Sequence, residues 1–302
     1  MEFFIQQLIN AFSLGSMYAL IAIGYTMVYG VLRLINFAHG DFMMVGAFLV
    51  YLFIALLKLN FFVAVGFSIV LTALIGVLSY KVAYKPLLDK DAPKISLLIT
   101  AIGISFFLES LFNLLSNQLV GENTLAFIAP GFFSNRIEIG GVGFSVLNAI
   151  VPVLTLLILA GVLFILYKTK IGIAIRALAF DISTVKLMGI DSNKIIAFVF
   201  ALGASLAAVG GILYAIAYPS ISPYMGLMIG LKAFAAAVVG GIGSVTGAVI
   251  GGFILGIVEI LIPGFFPSLG GYKDAFAFIL LIFVLLFKPT GIMGIDFEKK
   301  RF

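Results

Sequence analysis

The sequence predicts an all-α, polytopic integral membrane protein of about nine helical segments. Three observations carry that expectation. The 302 residues are 63% hydrophobic and only 10% charged, with a mean hydropathy of +1.26. Apolar runs recur at about the 20-residue length that crosses a bilayer. The lysines and arginines gather in a few short stretches between those runs, as topogenic charges do. A soluble domain of this length has no way to hide so much apolar surface.

The spans run in order. Residues 5–32 open the chain, with Gly15 and Gly24 as places where this first run could split. Residues 37–57, 61–84, 95–119, 145–167 and 195–218 are each long enough for one crossing. The run 227–262 is too long for one ordinary span. Gly240-Gly241-Ile242-Gly243-Ser244 breaks it, which predicts two short helices or a re-entrant pair. Residues 275–288 close the set. The chain reads as one membrane-spanning permease domain over 1–302.

Charge sets the expected direction. Arg33, the group Lys81, Lys85, Lys90 and Lys94, the loop 168–194, and Lys288 with Lys299, Lys300 and Arg301 go to the cytoplasmic side. Of the 18 basic residues only Lys58, Arg136, Lys232 and Lys273 then fall elsewhere. The N-terminus is expected outside and the C-terminus inside. By parity, Gly240–Ser244 lies at the inner turn. MEFFIQQLINAF carries no basic n-region of a cleavable signal peptide.

Composition excludes several classes. With this hydropathy the net charge of +5 reflects topology and not nucleic-acid binding. No cysteine is present, so neither a disulfide nor a thiolate metal site exists. No G-x-x-x-x-G-K-[ST], H-E-x-x-H or G-x-S-x-G motif occurs, so no P-loop and no recognisable catalytic centre is expected. No convincing internal repeat stands out.

Four groups of residues invite a functional reading. The polar stretch 168–194 carries Lys168, Lys170, Arg176, Lys186 and Lys194 against Asp181 and Asp191. Ile171, Ile175, Leu178 and Ile182 recur there at helical spacing, predicting a short amphipathic helix over 171–188. A basic loop of that kind suits a soluble partner. Second, Gly243, Gly247 and Gly251 are spaced by four, beside Gly240 and Gly241, and small residues at that spacing let helices approach closely. Third, Asn36, His39 and Asp41 form a polar group at the start of the second span. The expectation is an inner-side helix cap rather than a proton relay, because one histidine without a second ligand makes poor metal spacing. Fourth, Glu109, Lys232 and Glu259 are ionisable groups inside spans. Each costs about 2.5–3.5 kcal/mol to insert, so a pathway role competes with a structural pairing of Lys232 with Glu259 or Glu109.

Taken together, Ser16–Gly30 (SMYALIAIGYTMVYG), Ile35–Asp41 (INFAHGD), Lys232-Ala233-Phe234 through Gly240–Ser244, and Lys273-Asp274 through Phe287-Lys288-Pro289-Thr290-Gly291-Ile292 resemble LivH-type permeases of branched-chain amino acid ABC transporters. The resemblance runs over nearly the whole chain. It implies a permease subunit in the plasma (inner) membrane of a bacterium or archaeon. The implied partners are a second, LivM-like permease, two ATPase subunits and a periplasmic or lipid-anchored binding protein, with no nucleic acid. It also implies that ATP and Mg are held by the ATPases, with no cofactor on this chain. Arg176, Ala177, Asp181, Leu187, Met188 and Gly189 match the family's ATPase-coupling loop. Glu109 departs from the family pattern. Urea or short amides stay open as cargo, as does ion-coupled transport through Glu109, Lys232, Glu259 and His39.

Overall fold

The computed structural model describes residues 2–294 and is built almost entirely of helices. The order is α1 (Glu2–Leu32), α2 (His39–Ala55), α3 (Phe61–Ser79), a π-helical turn (Tyr80–Tyr84), α4 (Lys85–Leu88) and α5 (Lys94–Leu119). After an extramembrane segment come α6 (Val146–Lys168), α7 (Lys170–Phe180), α8 (Ile182–Leu187), α9 (Ser192–Ala217), α10 (Met225–Gly240), α11 (Val245–Phe265) and α12 (Lys273–Phe287). Seven helical stretches are long and apolar enough to cross a membrane, and α2 and α10 are shorter apolar helices. Together they make the nine segments read from the sequence.

The long first run does not split. α1 continues through Gly15 and Gly24 and is buried at every residue from Ser13 to Val28. A helix apolar all round belongs at the centre of a bundle, and α1 packs against α6, α9, α10 and α11. The outer helices are built inside out. α3 buries Ala64, Ser68, Thr72 and Gly76 and exposes Phe62, Phe67, Val70, Leu74 and Leu78. Lipid tails are as apolar as leucine, so helix contacts here depend on small residues and interhelical hydrogen bonds. Ser68 Oγ donates to the Gly46 carbonyl at 2.6 Å, tying α3 to α2.

Two small sheets pack against the helices, with Leu125 and Ile221 buried among them, and the segment between α5 and α6 contributes to both. β2 (Arg136–Ile139) and β3 (Val142–Ser145) form an antiparallel hairpin. β1 (Leu125–Ala126) pairs antiparallel with β4 (Ser220–Ile221), in the link from α9 to α10. Residues 168–194 differ from the single amphipathic helix expected. They form α7 and α8, because Asp181 takes an extended backbone (φ −155°, ψ 115°) that ends α7. Ile175 and Leu178 are buried as the periodicity requires, but Ile171 is exposed.

The run 227–262 is a helical hairpin. α10 and α11 lie antiparallel, with Gly240 against Gly247 and Ala236 against Gly251. Residues 288–294 return to close its turn: the Ile292 and Met293 amides donate to the carbonyls of Val239 (3.0 Å) and Gly240 (2.8 Å). Those two carbonyls end α10 and would otherwise lack partners. Lys299, Lys300 and Arg301 lie outside the described residues, as does the side chain of Lys186.

Candidate functional site

The chain reverses sharply after α1. Arg33 adopts φ 51° and its guanidinium donates to the Ala179 carbonyl at 2.7 Å, joining α1 to α7. Residues 33–38 then fold back along the bundle, so α2 begins well below the end of α1. His39 Nε2 lies 3.2 Å from the Ile21 carbonyl, about 16 Å along the axis from Leu32. His39 therefore sits deep in the bundle, not at an inner face. It is fully buried, its ring lies tilted against Tyr25 at 4.4 Å, and it fills the space that the missing side chain of Gly24 leaves.

The expected cap is only partly there. Asn36 Oδ1 accepts from the Ala38 amide (3.1 Å) and from Tyr84 Oη (2.8 Å). Asp41 caps nothing, and no side chain caps the first residue of α2. The π-helical turn of α3 turns Tyr80 and Tyr84 toward α9, where both rings lie against Phe200. Tyr80 Oη donates to Asn193 Oδ1 at 2.9 Å. A π-turn inserts one residue and re-aims the side chains beyond it, and no hydropathy pattern announces it. We expect His39→Gln to assemble and transport, with an unchanged pH profile across the neutral range. The amide still donates to the Ile21 carbonyl and only the tilted ring contact is lost, about 0.5–1.5 kcal/mol. Thermal unfolding in detergent and uptake at several pH values check this.

Lys232 and Glu259 form the structural pair that competed with a pathway role. Lys232 Nζ lies 2.6 Å from Glu259 Oε1 and 2.5 Å from Asp274 Oδ1. Tyr18 Oη donates to Glu259 Oε2 at 2.8 Å. This network joins α1, α10, α11 and α12. Lys232 and Glu259 are buried and do not snorkel. Asp274 and Tyr18 carried no sequence signal for the role.

Glu109 lies elsewhere. On α5, Ser105, Glu109 and Ser116 lie on the buried face. Ser105 and Glu109 approach Asp41, and Asn113 Nδ2 donates to Tyr224 Oη at 3.1 Å. Asp41 is 1% exposed, and neither of its oxygens has a well-formed hydrogen bond. It faces the first turn of α10: a Cβ on Gly226 would lie 2.8 Å from Asp41 Oδ1, and one on Gly230 would lie 2.7 Å from Gly40 Cα. Two short helices thus meet backbone to backbone beside a pair of buried acids.

The glycine group divides. Gly240, Gly247 and Gly251 hold the α10–α11 hairpin together, where any Cβ would strike opposing backbone. Gly241 (φ 109°) and Gly243 (φ 94°) make the turn and need left-handed backbone. Gly243 is therefore a turn residue and not part of the helix contact. Gly252 and Gly256 face α1 instead, at Ala19 and Gly15.

Arg176, Ala177 and Asp181 lie on α7 and at its end; Leu187, Met188 and Gly189 lie at the end of α8. Arg176 is exposed and stands over the Tyr167 ring at 5.1 Å. Phe180, Leu187 and Met188 are exposed too. Asp181 bonds Thr184. Asp191 caps α9, with Oδ1 accepting from the amides of Asn193 (3.1 Å) and Lys194 (3.3 Å). The Lys194 amide, followed by its ammonium, holds that carboxyl below the usual carboxylate range. A cleft of about 440 Å³ beside this region is lined by Arg33, Tyr80, Asp89, Phe180 and Asn193.

Nine apolar helical segments joined by close glycine contacts, with α7 and α8 set between α6 and α9, define a multi-pass membrane protein. Residues 7–285 match the family described as the permease component of branched-chain amino acid transport systems, and the chain belongs to that family. It is 42% identical, over 96% of both chains, to the high-affinity branched-chain amino acid transport system permease protein BraD of Pseudomonas aeruginosa. It is equally 42% identical to the high-affinity permease protein LivH of Escherichia coli K12, over 97% of this chain and 96% of that one. The probable branched-chain amino acid transport permease LivH of Methanocaldococcus jannaschii is 32% identical over 95% of this chain and 91% of its own. No solved structure matches the chain.

Proposed function

We propose that this protein is the permease subunit of an ATP-driven importer of leucine, isoleucine and valine, lying in the plasma membrane with its N-terminus outside and its C-terminus inside. The observation that carries the reading is the end-to-end likeness to permeases named for high-affinity branched-chain amino acid transport. A second, LivM-like permease completes the path. A binding protein delivers the amino acid. Two ATPase subunits hold ATP and Mg and perform the hydrolysis.

The loop 168–194 is the cytoplasmic coupling element. Its exposed Phe180, Leu187 and Met188, with Ile171 and Ile173, are large apolar side chains in a basic loop, as suits a protein contact with a charged rim. Closure of the ATPases would push on α7 and α8. Arg33, bonded to Ala179, and Tyr80, bonded to Asn193, pass the displacement to α1 and α3.

Co-purification of the tagged chain with its partners, followed by ATP-dependent uptake of leucine, isoleucine, valine and urea in proteoliposomes, tests the reading. ATP-independent uptake by the chain alone would defeat it. Arg176→Ala and Leu187→Ala are expected to lower uptake about tenfold while the permease itself still folds, because each removes part of a contact rather than core packing. Labelling of cysteines at 176 and 187 only from outside would reverse the orientation and remove the coupling role.

A further inference from the structure

The acid pair at the α2–α5–α10 junction has no counter-ion among the described residues. Asp41 is buried, carries no ion pair among the described residues, and leaves both carboxylate oxygens without a well-formed hydrogen bond. Among the described residues its charged neighbour is Glu109, which raises the cost of keeping it there. Ser105 is its polar neighbour on α5, but a buried acid retained without a counter-ion is expensive, and inside a membrane such a group marks a pathway by default. The contrast within this chain is direct: Glu259, equally buried, has both Lys232 and Tyr18.

Three further observations surround Asp41. The polar face of α5 leads away from it through Glu109 to Asn113, which bonds the exposed Tyr224 and keeps an unpartnered buried Oδ1. Residues 105 to 113 span about 12 Å of helix, so the track runs from the interior toward an end of the bundle. Above Asp41 lies the first turn of α10, which no side chain caps; a helix start favours a negative group. Gly40, Gly226 and Gly230 close the junction through backbone approach, with the Asp41 carboxylate and the Tyr25 hydroxyl beside them.

A counter-charge for a cation beside a helix start for an anion is what a zwitterion needs. Resting on the import reading above, we propose that Asp41, with Glu109 beside it, receives the α-ammonium group of the amino acid in transit. The substrate carboxylate points to the first turn of α10. The ammonium offers three donors, enough to engage both acids at once. Selectivity for the side chain stays with the apolar surroundings, while the acids serve any α-amino acid.

The test uses the wild-type chain in membranes with its full complement of partner subunits but no binding protein. Dicyclohexylcarbodiimide modifies buried carboxyl groups, and peptide mass spectrometry reads its attachment at residue 41. Millimolar leucine and isoamylamine, which carry an ammonium, are expected to slow the modification several-fold. Isocaproate, with the same chain and no ammonium, is expected to have no effect. Equal protection by isocaproate, protection by sodium against choline chloride, or no protection by either amine would overturn the proposal.

Asp41→Asn is expected to lower leucine uptake at least about tenfold with ATPase co-purification and ATP hydrolysis retained, and Asp41→Glu to recover part of it. Wild-type uptake by Asp41→Asn would equally defeat the proposal. Should that variant not assemble, the labelling of the wild-type chain decides. The two readings fail separately: absence of ATP-dependent leucine uptake by the wild-type complex strikes the importer, whereas amine protection at residue 41 is read without transport.

Discussion

Lys232→Met is expected to remove most of the folded protein from the membrane. Among the described residues the lysine is the one cation paired with Glu259 and Asp274, at 2.6 and 2.5 Å. Its loss leaves Glu259 buried with a tyrosine hydroxyl as its remaining bond. Breaking a buried pair from one side costs about 3–5 kcal/mol, a large part of what holds a domain together. Replacing all three charges, as Lys232→Met with Glu259→Gln and Asp274→Asn, is expected to recover much of that loss, because no buried charge is left uncompensated. Thermal unfolding of the detergent-solubilised variants measures both effects. A single Lys232→Met variant as stable as the parent would mean the network contributes nothing and would return Lys232 to the pathway groups.

Gly251→Leu is expected to separate α10 from α11. A Cβ at this position would overlap the carbonyl oxygen of Ala236 and approach the Gly240 amide to 2.7 Å. The opposing atoms are backbone and do not yield as a side-chain end would. Overpacking typically costs about 1–3 kcal/mol and occasionally more, and a clash with helix backbone belongs at the upper end. Residues 288–294, which hydrogen-bond to the end of α10, would lose their seat as well. Ile250→Phe, one residue away on an exposed position, is the control and is expected to behave as the parent. Expression, size-exclusion profile and uptake decide; normal values for Gly251→Leu would place residue 251 against lipid.

Part of the site was visible as residue types without their partners. Lys232 and Glu259 announce themselves because an ionisable group in an apolar run is rare. Asp274 does not, since it starts a helix where an acid is ordinary. The polar group Asn36, His39 and Asp41 likewise stood out, but as an assumed cap. Its true use depends on the backbone folding inward after Arg33, and on the π-turn that brings Tyr84 to Asn36. Both are departures from regular geometry that leave no mark in hydropathy. The same four-residue glycine spacing serves α10 at Gly247 and Gly251 and α1 at Gly252 and Gly256, so spacing does not say which helix is met.

By itself the sequence determined the membrane setting, the nine helical segments and the break at Gly240–Ser244, because insertion energetics act on each segment along the chain. It could not determine which charges meet, or that α1 is the central helix. In the bilayer the surrounding lipid is as apolar as the helix faces, so hydropathy carries no direction toward the core. Only the tertiary structure chose the partners, through backbone approach at small residues, and so joined Lys232 to Glu259 and Asp274 while leaving Asp41 beside Glu109 without a counter-ion.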